Sequence, residues 1–92
     1  MRFEWDEKKA RANFRKHGVS FEDASTVFLD DNARLLPDFA HSTDEDRFYL
    51  IGYSRTSQFL TVCHCYRLND NLVRIISAWK ATSTETKYYE EF

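Results

Sequence analysis

The chain has 92 residues, of which 42% are hydrophobic and 16% aromatic, and its formal net charge is −2. This length predicts one domain spanning residues 1–92, because too little chain remains for a second core. Two glycines and one proline exclude a collagen-like or linker-type chain. No apolar run approaches the ~20 residues of a membrane span, and the first ten residues are too charged for a signal peptide. We therefore expect a cytoplasmic protein with no membrane partner.

The beginning of the chain predicts a short extended segment followed by a helix. Residues 2–5 favour a strand or an extended entry. Asp6 is a good N-cap for a helix that reaches about His17, and Gly18 is placed to end it in the left-handed conformation. The predicted helix is therefore bounded at both ends by residues suited to those positions.

A second helix is predicted directly after the first. Ser20 and Asp23 resemble a capping box, although aspartate replaces the preferred glutamate, and apolar residues then recur at helical spacing. The helix ends at residues 30–32. An extended piece at residues 34–36 then leads into a loop at residues 38–46, which we expect to be too hydrophilic to pack.

The periodicity changes in the second half of the chain. Residues 47–54, 58–66 and 71–79 are rich in aromatic and β-branched side chains and are joined by short polar turns. Such short turns favour antiparallel hairpins, so we expect a three-stranded meander. Thr82 and Glu85 match a capping box that opens a short C-terminal helix, in which Tyr88 and Phe92 can meet. The fold class is α+β, with the helices on one face of the sheet and the other face or an edge free for a ligand.

The charges of the chain are unevenly distributed. Residues 1–21 carry six cations and three anions, residues 22–46 carry eight acids and one arginine, and residues 47–84 carry five cations and one acid. If the two basic segments meet in the fold, they present a cationic surface to RNA. Solvated surface charge is the simpler interpretation of the same pattern.

Cysteine and histidine alternate at Cys63-His64-Cys65. In a strand the two thiols lie on one face and the imidazole on the other, so one metal ion cannot collect all three. We therefore predict no metal site and no cofactor, and we interpret the cysteines as small core residues. His64 is either a hydrogen-bonded histidine within the sheet or a general acid or base.

Two further motifs have structural and functional interpretations. Arg74 lies within an apolar strand, so it needs either a carboxylate partner, for which Glu45 or Asp46 is available, or an anionic ligand. Asp38 and His41, with Ser42 beside them, resemble parts of a catalytic triad, but local hydrogen bonding within the loop explains them better. Phosphate-binding glycine loops, zinc-protease motifs and calcium loops are all missing from the sequence.

Many short motifs follow one another in a defined order and spacing from Phe3 to about Tyr89. They are Phe3-Glu4-Trp5-Asp6, Lys9, Asn13, Lys16-His17-Gly18, Ser20-Phe21-Glu22-Asp23-Ala24, Val27-Phe28, His41-Ser42, Glu45-x-Arg47, Ile51-Gly52-Tyr53-Ser54, Val62-Cys63-His64-Cys65-Tyr66-Arg67, Val73-Arg74-Ile75-Ile76-Ser77-Ala78 and Lys80-Ala81-Thr82. In this order and spacing they resemble the BrnT toxins of bacterial type II toxin–antitoxin systems.

The resemblance implies a RelE-like fold and a ribonuclease that restricts translation. It implies cleavage without a metal ion, in which the 2′-hydroxyl of the RNA attacks the adjacent phosphate, and neutralisation by a BrnA-type antitoxin. Operator DNA would be bound only through the complex with that antitoxin. The implied catalytic residues are His17, His64, Arg67, Arg74 and Lys80, and the implied RNA-binding residues are Lys16 and Arg47. We also expect Arg55 and Trp79 to bind RNA. We expect these groups to converge on one pocket.

One position departs from the family pattern. Trp79 stands where the family usually has arginine, in the motif that follows the two isoleucines. Loss of a cation that stabilises the transition state commonly costs ~10²–10³ in rate, so we expect weakened cleavage. A catalytically silent module that binds an antitoxin and adjusts operator affinity is the alternative function. A DNA-binding regulator is less favoured, because the sequence lacks a helix-turn-helix pattern with a basic recognition helix.

Overall fold

The computed structural model describes residues 1–41 and 45–91, and its fold is α+β as predicted. The elements in chain order are β1 (Arg2–Glu4), α1 (Glu7–His17), α2 (Phe21–Ser25), β2 (Arg34–Pro37), β3 (Phe48–Tyr53), β4 (Phe59–Arg67), β5 (Leu72–Lys80) and α3 (Ser83–Glu90). Short 3₁₀ turns follow α2 and β2, at Thr26–Leu29 and Phe39–His41. Within the described ranges, no helix has the length and apolar character that crossing a membrane requires.

The predicted boundaries of α1 and α3 are confirmed. The Asp6 side chain accepts two backbone N–H bonds from the first turn of α1, and Gly18 ends the helix with a φ of 70°. At α3, the Thr82 hydroxyl and the Glu85 carboxylate form the reciprocal capping box. The predicted contact between Tyr88 and Phe92 lies outside the described residues.

The second helix differs from its prediction. The Ser20 hydroxyl accepts from the Asp23 N–H at 3.0 Å, but Asp23 Oδ2 accepts from Thr56 at 2.8 Å and from Gln58 at 3.0 Å. The Asp23 carboxylate thus ties α2 to the β3–β4 turn. The helix tightens into a 3₁₀ turn at Thr26, whose hydroxyl donates to the Asp23 carbonyl at 2.6 Å, because such local side-chain bonds compete with regular helix geometry.

The five strands form one sheet in the order β1-β5-β4-β3-β2. The antiparallel meander of β3, β4 and β5 is confirmed, and β1 adds a parallel strand beside β5. α1 and α2 pack on one face, where Phe21, Val62 and Ala78 belong to the buried core. α3 packs on the opposite face, which corrects the prediction of helices on one face only. The reason is aromatic packing, since the Tyr89 ring lies 5.0 Å from the Phe59 ring.

β5 contains one extra residue, Ile76, where it pairs with β4. In a regular strand, Arg74 and Trp79 would point to opposite faces, because they are an odd number of residues apart. The bulge reverses the alternation between them. Val73 and Ala78 are therefore both buried in the helix-side core, and Arg74 and Trp79 share the other face.

Asn13 fixes α1 to the edge of the sheet. β1 pairs with β5 only as far as Arg74, so the later part of β5 is an edge. There the buried Asn13 amide donates to the Ala78 carbonyl at 2.8 Å and to the Val19 carbonyl at 3.0 Å, and it accepts from the Ala78 N–H at 3.1 Å. This pairing sets His17, at the end of α1, beside the end of β5.

Candidate RNA-binding face and its relatives

A row of side chains crosses the sheet on the face opposite α1 and α2. Strand pairing places Glu4 of β1 beside Arg74 of β5, and Arg74 beside Cys65 of β4. The register of β3 continues the row to Arg47, whose carbonyl accepts from the Asp38 N–H at 2.8 Å. We call Glu4, Arg74, Cys65, Arg47 and Asp38 the arginine row. Since neighbouring strands lie ~4.8 Å apart, the backbones of Arg74 and Arg47 are separated by about 10 Å.

Ion pairs hold Arg74 and Arg67 at one end of this face. Arg74 Nη1 lies 2.8 Å from Glu4 Oε2, while Arg67 Nε lies 3.5 Å from the same oxygen and Arg67 Nη2 lies 3.1 Å from Glu45 Oε2. The hydrogen bond that Arg74 donates to the Glu4 carboxylate raises the pKa of Arg74 above its usual range. The partner of Arg74 is thus Glu4 of β1 rather than the predicted Glu45 or Asp46, because β1 lies directly beside β5.

These pairs leave the arginines accessible to a ligand. The side chain of Arg74 is 33% exposed and that of Arg67 is 44% exposed. Ion pairs with this exposure contribute only ~0–1 kcal/mol. A phosphate, which guanidinium groups bind in bidentate geometry, can therefore replace a carboxylate at modest cost.

Asp38 is the last residue of the arginine row, and its carboxylate contacts the side chain of His41. Asp38 is buried, which corrects the prediction that the 38–46 loop does not pack. Its two carboxylate oxygens lie 3.1 and 3.0 Å from His41 Nδ1, and the His41 side chain is 65% exposed. Burial, together with the hydrogen bond and charge of Asp38, raises the pKa of Tyr49 to about 12. The predicted local hydrogen bonding is confirmed for Asp38 and His41, whereas Ser42 lies outside the described residues.

Trp79 anchors α3 to the sheet. Its indole N–H donates to the Glu85 carboxylate at 3.1 Å, and the Thr61 hydroxyl donates to Glu85 Oε1 at 2.8 Å. The Trp79 ring lies 5.8 Å from the Tyr49 ring and 6.2 Å from the His17 ring. The structure therefore brings His17 and Trp79 together, but they lie about 13–14 Å along the sheet from Arg74, because the paired residues on β4, Thr61 and Cys65, are four positions apart.

His64 is part of the core. Its side chain is completely buried, its Nδ1 lies 3.0 Å from the Val62 carbonyl and its Nε2 lies 3.2 Å from the Tyr66 hydroxyl. Because a carbonyl only accepts, Nδ1 carries the hydrogen and Nε2 accepts from Tyr66. Phe28 packs against the ring at 4.9 Å. Burial lowers the pKa of His64, so the geometry favours a neutral structural histidine over a proton-transfer residue.

The other predicted cations lie at separate places. Lys16 is exposed on the last turn of α1, and Lys80 is exposed at the end of β5. Arg55 is exposed in the β3–β4 turn, where its N–H donates to the Thr26 hydroxyl at 2.7 Å. This turn precedes the first residue of β4, whereas Arg67 is the last residue of that strand. The structure thus does not bring the predicted site residues to one pocket, because they are distributed over both ends and both faces of the sheet.

The two cysteines are buried free thiols, as predicted for small core residues. Burial raises the pKa of Cys63 to about 11 and also raises the pKa of Cys65. Both therefore remain protonated at neutral pH and are poor nucleophiles. Within residues 1–41 and 45–91, no group of three or more histidine, cysteine or acidic side chains is arranged to hold a metal ion.

Sequence reasoning assigned no site role to several residues that shape this face. They are Glu4, Glu45, Asp38, His41 and Tyr49. The position of Asp38 could have been inferred from its spacing to Leu36. Residues two positions apart in a strand point to the same face of the sheet, so Asp38 lies on the face of Leu36. The role of Glu4 had no local signal, because its partner is 70 positions away in the sequence.

Comparisons with known proteins identify the family. Residues 5–85 match the family model described as the ribonuclease toxin BrnT of a type II toxin–antitoxin system. The structure is similar to the 1.1 Å crystal structure of the Brucella abortus ribonuclease toxin BrnT, with 26% sequence identity and a TM-score of 0.66. That similarity covers 90% of this chain and 99% of the Brucella chain. A search of curated proteins gives no match.

The fold and the family match define the class as a ribonuclease toxin of a type II toxin–antitoxin system. The matched segment includes α1, α2, the strands β2 to β5 and the start of α3. The chain belongs to the BrnT family.

Proposed function

We propose that this chain is a metal-independent endoribonuclease that binds RNA across the arginine row and cleaves it to inhibit translation. The observation that carries the proposal is the placement of Arg74 and Arg47 on the same face, with Arg67 beside Arg74. RNA offers one phosphate per nucleotide, and guanidinium groups are suited to clamp such phosphates. The 92 residues act as one toxin domain in the cytoplasm.

The chemistry requires charge stabilisation at phosphorus. When the 2′-hydroxyl attacks the adjacent phosphate, negative charge accumulates on the phosphoryl oxygens. Arginines that already hold carboxylates in this position are oriented for an oxyanion and need little rearrangement to bind one. They supply the positive charge that a metal ion would otherwise supply.

A BrnA-type antitoxin is the proposed protein partner, and operator DNA is reached only through that complex. Membership of a type II toxin–antitoxin family supports a protein antitoxin. Large apolar side chains at the surface are suited to contact with such a partner. The most exposed are Phe39, Met1, Leu29 and Leu68.

Cleavage of RNA in the presence of EDTA tests the enzymatic activity. We expect purified toxin to cut a structured mRNA at the same rate with and without the chelator, leaving 2′,3′-cyclic phosphate ends. Addition of the protein encoded beside this chain's gene should abolish the cleavage. Loss of activity on chelation, restored by a divalent ion, would exclude the metal-independent mechanism.

A catalytically silent module that binds the antitoxin is the second candidate function. It is favoured by Trp79, which stands at the position of a family arginine and donates to Glu85 instead of presenting a charge. Intact RNA together with tight antitoxin binding and changed operator affinity would support this alternative.

Trp79→Arg is expected to increase the rate of RNA cleavage by at least about tenfold, because it adds a cation on the face that holds Arg74. Glu85 neutralises part of that charge, so the gain should fall short of the full value of a transition-state cation. Trp79→Gln is the matched control, since its amide can also donate to Glu85 but carries no charge. Equal rates for the two variants and the wild type would show that charge at position 79 does not matter.

A further inference from the structure

His41 is held in a defined orientation at the end of the arginine row. Both oxygens of Asp38 lie within hydrogen-bonding distance of His41 Nδ1, at 3.0 and 3.1 Å. Asp38 is itself buried and is fixed through its N–H to the Arg47 carbonyl. An ionised carboxylate only accepts, so Nδ1 carries the hydrogen and Nε2 is the accepting nitrogen of the neutral ring.

The location of His41 distinguishes it from the two other histidines. Both ring nitrogens of His64 are hydrogen-bonded inside the core. His17 packs near Trp79, which pairs with Thr61 of β4 and so lies about 13–14 Å along the sheet from the arginine row. His41 is the histidine next to the arginine row, and most of its side chain is exposed. Imidazole is the side chain best suited to exchange protons near neutral pH.

We propose that His41 is the general base of RNA cleavage and that Asp38 is its positioning residue. The inference rests on the proposed ribonuclease function and names the group that moves the proton. His41 Nε2 takes the proton of the 2′-hydroxyl while that oxygen bonds to phosphorus. The bond from phosphorus to the 5′-oxygen breaks, and the 5′-oxygen takes a proton from water. Asp38 stabilises the imidazolium that forms, and His41 then returns its proton to solvent.

The test compares His41→Ala with the wild type in single-turnover cleavage of an RNA oligonucleotide in EDTA. We expect the rate to fall by at least about 10²-fold, the usual contribution of general acid–base catalysis. Adding free imidazole should restore a measurable part of the rate in His41→Ala and leave the wild type unchanged. Ala40→Ser, a change at an exposed residue of the same turn, should cleave normally.

Asp38→Asn tests the positioning role. The amide can still contact the ring but no longer stabilises the imidazolium, so we expect kcat to fall by about tenfold or more while KM stays near the wild-type value. A change confined to KM, or equal loss of thermal stability and activity, would contradict positioning and overturn that part of the proposal.

The outcomes separate this inference from the function on which it rests. If the wild type cleaves no RNA, the ribonuclease proposal and the role of His41 both fail. If the wild type and His41→Ala cleave equally, or if the lost rate is not rescued by imidazole, only the role of His41 fails. Slow cleavage by His17→Ala that imidazole rescues, with His41→Ala unaffected, would assign the base to His17 instead.

Discussion

Arg74→Ala is expected to lower the rate of RNA cleavage by about 10²- to 10³-fold, the usual cost of removing one group that stabilises a transition-state oxyanion. Arg74 lies at one end of the proposed binding face, next to Arg67, and its guanidinium is already oriented by Glu4 at 2.8 Å. Arg74→Lys should recover only part of the rate, because an ammonium group keeps the charge but loses the planar fork that binds two phosphate oxygens. Single-turnover cleavage of a short RNA measures both variants.

The loss should not reflect unfolding. Glu4 keeps Arg67 as a neighbour at 3.5 Å and is itself partly exposed, so no buried charge is left without compensation. We therefore expect the unfolding free energy to change by less than about 1 kcal/mol. Arg11→Ala is the matched control, since it removes an exposed arginine from α1 on the other side of the sheet. Equal losses in Arg74→Ala and Arg11→Ala would mean that only total charge matters and that the arginine row is not the site.

His64→Ala is expected to lower the free energy of unfolding by about 2–4 kcal/mol. The substitution opens space beside Phe28 and leaves the Val62 carbonyl without its donor. Because domains of this size are usually stable by only ~5–10 kcal/mol, this loss is a large fraction of the total. Urea unfolding followed by tryptophan fluorescence measures it. An unfolding free energy within 0.5 kcal/mol of the wild type, as is typical of surface changes, would contradict the buried position of His64.

The same burial predicts how stability depends on pH. Burial lowers the pKa of His64 in the folded state, so below about pH 6.5 the unfolded chain binds a proton that the folded chain does not. The stabilisation is therefore complete above that pH and is lost as the pH falls. As the pH falls from 7.5 to 5.5, we therefore expect His64 to contribute to the decline in the free energy of unfolding. His64→Gln keeps every other titrating group, so its free energy of unfolding should decline less than that of the wild type over this pH range. Identical pH dependences for the two proteins would contradict the contribution of His64.

The family resemblance, the α+β class and the boundaries of α1 and α3 were all predictable from the sequence. Asp6, Gly18 and the pair Thr82 and Glu85 encode helix ends within three or four residues, because caps are satisfied by neighbouring backbone groups. The meander was predictable for the same reason, since short turns restrict consecutive strands to antiparallel pairing.

The site was less predictable than the fold. The sequence identified Arg67, Arg74 and Arg47 as cations of interest, and the structure places them on one face. It could not show that His64 points into the core, because alternation along β4 gives two faces without saying which one the helices cover. Nor could it show that the bulge at Ile76 puts Arg74 and Trp79 on the same face.

By itself, the sequence determined what is local in this protein: the order of the helices and strands, their caps and the residue types available for binding phosphate. Only the tertiary structure decided which of those residues meet. It placed Glu4 beside Arg74 through a parallel strand from the other end of the chain. It also buried Asp38, whose N–H donates to the Arg47 carbonyl and whose carboxylate contacts His41. The physical reason is that caps and turns are satisfied by neighbours in sequence, whereas neighbours across a sheet are fixed only when the whole chain packs around its core.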